Sequence, residues 1–133
     1  MKPTCEIVVK YFLPAFRAMV AKELCEKYGM KQEEAARRLG ITQAAISYYL
    51  SGIRGGTTRR RLALLKEDPK VKEMVREIAS SIAGGKASTL DAIGLICKTC
   101  TLLKLSGDVC AFHTDVVPSL SKGCSLCKSL FSK

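Results

Sequence analysis

Three residues at fixed intervals constrain this chain more than anything else in it. Ala36, Gly40 and Ile46 stand inside the string Gln32-Glu33-Glu34-Ala35-Ala36-Arg37-Arg38-Leu39-Gly40-Ile41-Thr42-Gln43-Ala44-Ala45-Ile46-Ser47. Two short helices that meet at a steep angle need a small side chain on the first, so that the second can approach. They also need a residue tolerant of positive φ in the turn and an aliphatic plug in the angle between them. Ala36, Gly40 and Ile46 meet these needs in order.

The flanking residues set the helix ends. The first helix runs from about Gln32 to Leu39; Met30 and Lys31 give it no good N-cap, and Glu33 and Glu34 compensate at the positive end of its dipole. Thr42 is a strong N-cap for the second helix, with Ile41 and Ile46 as a hydrophobic staple. Helical spacing turns Ile46, Tyr49 and Leu50 inward and Gln43, Ala44, Ser47 and Tyr48 outward, and Gly52 closes the helix.

This segment resembles the lambda-repressor/Cro type of helix-turn-helix, the xenobiotic-response-element family of transcriptional regulators. With its flanking helices the resemblance covers about residues 14–80. It implies an all-α, lambda-repressor-like domain that binds double-stranded DNA as a homodimer, with the second helix in the major groove. On that reading Gln43, Ala44, Ser47 and Tyr48 face base edges or nearby phosphates, with Thr42 at the head of the helix, and Gln32 meets the backbone. Lys31 departs from the Ser or Thr usual before that Gln. The chemistry agrees: Gln can hold an adenine edge with two hydrogen bonds, and Ala can meet a thymine methyl. Arg37, Arg38, Arg54, Arg59, Arg60 and Arg61 supply charge for phosphates. The N-terminal run and the cysteine-rich tail also resemble a group of archaeal predicted regulators.

Elsewhere the pattern is helical or undecided. Residues 4–13 are nearly continuously apolar and fit either a strand or a buried helix. Pro14 suits the first turn of a helix that carries Phe16, Met19, Val20, Leu24 and Tyr28 on one stripe and ends near Gly29. A Gly- and Arg-rich loop leads to a helix near 57–67; Asp68-Pro69 starts another, with Val71, Met74, Val75, Ile78 and Ile82 on one side. Gly84-Gly85 mark a boundary, so that residues 1–85 form the DNA-binding domain and residues 86–133 a small cysteine-rich helical segment opened by Ser88. The stripe of 71–82 and the N-terminal run are candidate dimer interfaces, or else both simply close the core.

Charge follows the same division. Residues 1–86 carry 17 Lys and Arg against 9 Asp and Glu, whereas residues 87–133 carry 5 against 3. A positive field attracts polyanions. No stretch is apolar enough for a membrane span, and Glu6 and Lys10 interrupt any secretory leader, so a cytoplasmic location is expected.

Five of the seven cysteines, Cys97, Cys100, Cys110, Cys124 and Cys127, lie in the last 37 residues. Two Cys-x-x-Cys pairs allow thiolates to converge on one metal. The apolar surroundings and odd fifth cysteine favour an iron–sulfur cluster of the [4Fe-4S] type; structural zinc and metal-free thiol switching are the alternatives. His113, the only histidine, is read as exposed rather than as a ligand. A CxxC redox enzyme on a nucleic-acid-binding scaffold is a further alternative, without a thioredoxin-like pattern around either pair. No Ser-His-Asp set, phosphate loop or paired catalytic carboxylates support another enzyme.

Overall fold

The computed structural model describes residues 2–51, 66–85, 88–120 and 123–132. Among them every regular element is helical. In chain order these are α1 (Thr4–Ile7), a π-helical turn (Val8–Phe12), α2 (Leu13–Glu26), α3 (Gln32–Leu39), α4 (Gln43–Ser51), α5 (Pro69–Ala83), α6 (Thr89–Ser106), α7 (Asp108–Val116) and α8 (Leu126–Phe131). The expected Gly52 stop lies outside the described residues, as does the helix near 57–67 apart from helical Lys66 and Glu67.

The undecided N-terminal run is helix. It does not stop for a new start at Pro14 but continues through it into α2. Proline has no N–H to give the carbonyl four residues back, and its ring crowds that carbonyl in an unbroken α-helix. The wide turn immediately before it relieves the conflict, with the Leu13 N–H bonded to Val8 O. Ile7, Val8, Phe12, Phe16, Val20 and Leu24 are all buried along this rod, and the Phe12 and Phe16 rings stack 5.5 Å apart. Tyr28 departs from the expected stripe: it lies beyond the end of α2, 40% exposed, with the Lys27 ammonium over its ring.

α2 is the centre of the first half, packed against α3, α4 and α5. Val71, Val75, Ile78 and Ile82 of α5 are buried in the same cluster as Phe16, Val20 and Leu24. The two stripes considered as dimer interfaces therefore close the molecule's own core. Asp68 caps α5 through the Lys70 N–H at 2.8 Å. Gly84 and Gly85 end the helix, the latter at φ +65°.

Ser88 opens α6 with a reciprocal capping box to Asp91. α7 and α8 pack on α6, and α1 packs on α7. His113 differs from its expected exposure. It is partly buried, with Nε2 2.7 Å from Lys2 O and Nδ1 3.4 Å from Thr4 Oγ1. The N-terminal turn is thereby fastened to the cysteine-rich helices while the same rod runs on into α2.

Truncating the fully buried Ile46 removes the plug between α3 and α4 and leaves a cavity. Ile46→Ala is expected to destabilise the protein by about 2–5 kcal/mol, and Ile46→Val by about 0.5–1.5 kcal/mol, in urea unfolding followed by circular dichroism.

Candidate nucleic-acid interface

The geometry between α3 and α4 follows from a few local interactions. Gly40 adopts φ +68°, and around it the Ile41 N–H reaches Ala36 O at 3.0 Å and the Gly40 N–H reaches Arg37 O at 3.3 Å. That paired closure satisfies the last carbonyls of α3 and turns the chain sharply. Thr42 Oγ1 accepts from the Ala45 N–H at 3.1 Å, capping α4. Ala35, Ala36 and Ile46 are buried at the junction. These contacts fix which side of α4 faces solvent.

On that side Gln43, Ala44, Ser47 and Tyr48 are all exposed, Tyr48 to 43%. Thr42 is exposed at the head of the helix, and Gln32 is partly exposed at the start of α3. The side chains of Tyr49 and Leu50, expected inward, lie outside the described set, as do Arg54, Arg59, Arg60 and Arg61.

Of the arginines expected at phosphates, the two that are described, Arg37 and Arg38, differ from one another. Arg37 is well exposed and forks onto Glu34 with contacts of 2.6 and 3.1 Å. Arg38 also bonds Glu34, at 2.7 Å, but its other arm donates to Ile82 O at 2.6 Å. It ties α3 to the end of α5, so much of its hydrogen-bonding capacity is already used. One carboxylate shared by two guanidiniums leaves a net positive charge beside α4. Hydrogen bonds from Arg37 and then Arg38 hold the Glu34 carboxyl down at about 2, and Glu34 in turn raises Arg37. The i, i+3 and i, i+4 pairing could be read from the sequence; the Ile82 carbonyl could not.

The tail thiols separate into two neighbourhoods. Cys97 and Cys100 lie one turn apart on α6, with Cys100 near Lys104 and Cys5 of α1. Cys110 of α7 lies near Cys124 and Cys127, and Cys127 also contacts Thr4 Oγ1 at 3.3 Å. Burial pushes the Cys100 thiol up, with the Lys104 ammonium opposing it. Burial likewise pushes Cys110 up, aided by the charges of Cys127 and Cys124. Among the described residues no three His, Cys, Asp or Glu side chains are arranged to hold a metal ion. The two CxxC pairs are not brought to one point. Cys5, Thr4, Lys104 and His113 were not assigned to this region from the sequence; nothing in the local pattern links positions about a hundred residues apart.

Residues 22–65 match the sequence profile of a helix-turn-helix family, about a third of the chain. No curated protein and no solved structure gives a significant match. Among the described residues no helix is long and apolar enough to cross a membrane.

Because folding lowers the Glu34 pKa, its stabilisation is present above pH 4.5 and is lost as pH falls to about 2. Glu34→Gln is expected to flatten this part of the acid dependence, seen by comparing urea midpoints of the two proteins from about pH 5 to pH 2. Both groups reach solvent, so added salt should shrink the difference.

Proposed function

We propose that this chain is a sequence-specific transcriptional regulator that reads double-stranded DNA with α4. The observation that carries the reading is the solvent face of Gln43, Ala44, Ser47 and Tyr48 on a helix held rigidly by the buried Ala36–Ile46 junction. A short, capped helix presenting small and amide side chains suits the width and donor–acceptor pattern of the major groove. The helix-turn-helix profile over residues 22–65 supports the same assignment. Arg37 and the basic run Arg59-Arg60-Arg61 are the phosphate partners in this reading, with Arg54; Arg38 contributes mainly by fixing α3 on α5. A homodimer reading two half-sites completes it.

The finer reading is a response to redox state through the tail cysteines. Their concentration in the last 37 residues supports it. A [4Fe-4S] cluster or zinc on four of Cys97, Cys100, Cys110, Cys124 and Cys127 requires those four to close on one point, and among the described residues no three of them are so arranged. Iron, sulfide and zinc analysis of anaerobically prepared protein separates the cases. Bound metal supports the ligand reading, and metal-free protein leaves the thiols themselves as sensors.

For the DNA reading, a preferred site selected from a random duplex pool serves as probe. Gln43→Ala should weaken that site by about 1–3 kcal/mol relative to random duplex, as expected for a lost two-bond base contact. Arg37→Gln should weaken both duplexes alike and reduce the salt slope by about one. Equal loss on both duplexes for Gln43→Ala would argue against base reading by α4.

A further inference from the structure

The side chain with the least conventional surroundings is Lys104. It is 4% exposed, and no carboxylate lies within ion-pair distance of it among the described residues. Its neighbours are sulfur and carbon. The ammonium donates to Cys5 Sγ at 3.3 Å and sits 4.4 Å from the Phe131 ring centroid, and Cys100 stands one turn earlier on α6, near enough to interact electrostatically with Lys104. A buried ammonium is costly to keep without a counter-charge, and the π face of a ring offsets only part of that. The remaining neighbours are the sulfurs of Cys5 and Cys100. They come from α1 and α6, which are far apart in sequence. They also differ in access, since Cys5 is exposed and Cys100 is half-buried.

We propose that Cys5, Lys104 and Cys100 form a hydroperoxide-reactive thiol site, in which Cys5 is oxidised and Cys100 resolves it as a disulfide between α1 and α6. The sulfur of Cys5, as thiolate, attacks the terminal oxygen of the hydroperoxide. The O–O bond breaks, the alcohol or water leaves with a proton, and Cys5 becomes a sulfenic acid. Lys104 stabilises the negative charge at sulfur during that attack. The Cys100 thiol then gives up its proton and attacks the Cys5 sulfur, the S–O bond breaks, and hydroxide leaves as water after taking that proton. Across both steps the peroxide gains two electrons and the two thiols lose them. Cys97 is exposed one turn away on the same helix and, unlike Cys100, is not among the groups acting on Lys104, which makes Cys100 the resolving thiol of this proposal. Once the disulfide has formed, neither sulfur can carry a negative charge beside Lys104, which is still buried against Phe131. Oxidation at this site thus acts on the packing of the N-terminal turn.

This site rests on the redox-responsive reading and names its chemistry; the test reads the bond itself rather than DNA affinity. The full-length reduced protein is treated with stoichiometric hydrogen peroxide, alkylated and digested with trypsin. Cleavage at Lys98 puts Cys97 and Cys100 on separate peptides, and Cys5 falls on a third. The expected product joins the Cys5 and Cys100 peptides. In Cys100→Ser the Cys5 sulfenic acid should persist long enough to be trapped by dimedone. Lys104→Gln should slow Cys5 oxidation about ten-fold, while Lys104→Arg keeps most of the rate. Circular dichroism verifies that each variant is folded, and Cys5→Ser, an exposed and near-isosteric change, serves if Lys104→Gln is not. In that variant Cys100 should stay reduced under the same treatment. A Cys97–Cys100 or Cys124–Cys127 disulfide with Cys5 left free overturns the proposal. So does an unchanged Cys5 oxidation rate in folded Lys104→Gln. If the Cys5–Cys100 bond forms and operator affinity is unaltered, the site stands and the regulatory reading falls.

Discussion

The burial of one side of α2 is the constraint on which the DNA-reading half depends. Phe16, Val20 and Leu24 present a continuous apolar surface, and α3, α4 and α5 all settle against it. Neither α3, eight residues long, nor α4, nine residues long, would be stable as an isolated helix in water. Their order comes from that shared surface and from the close junction at Ala36 and Ile46. The position of the exposed α4 residues is thus set by side chains that never meet a ligand.

The polar contacts around this core add direction more than strength. The Glu34–Arg37–Arg38 set is largely at the surface, where ion pairs contribute little. Its value is geometric: Arg38 spans from Glu34 on α3 to the last turn of α5, and so limits how α3 can rotate. The C-terminal helices are held differently. Ser88 and Asp91 cap α6 locally, while His113, Thr4, Cys127, Cys5 and Lys104 tie distant parts of the chain with bonds of uneven polarity.

Much of the first half was legible because its determinants are local. Gly40 in the left-handed region, Thr42 as a cap, Asp68-Pro69 as a helix start and Ser88 as another each depend on residues within one turn. The outward set Gln43, Ala44, Ser47 and Tyr48 follows from the helical period once Ile46 is placed inside. The second half was less legible. The CxxC spacing says only that two thiols can approach one another; it does not say which other groups approach them. Nothing in the sequence sets Lys104 apart from other lysines or links it to Cys5, because the contact joining them spans 99 residues. The same holds for His113, whose two partners both lie at the N-terminus.

The wide turn at Val8–Phe12 bears on how one rod serves both halves. Val8, Phe12, Phe16, Val20 and Leu24 recur every fourth residue, and all are buried. On an unbroken α-helix such a row creeps around the axis by about 40° at each step, so its two ends would soon face different directions. A turn that takes in more residues removes part of this creep at the point where Pro14 already obstructs the regular ladder. The rod thus behaves as a screw with a locally altered pitch, and its phase is adjusted between the thiol-bearing tip and the face that supports α4. The relative heading of the two ends is therefore written into five residues that belong to neither site.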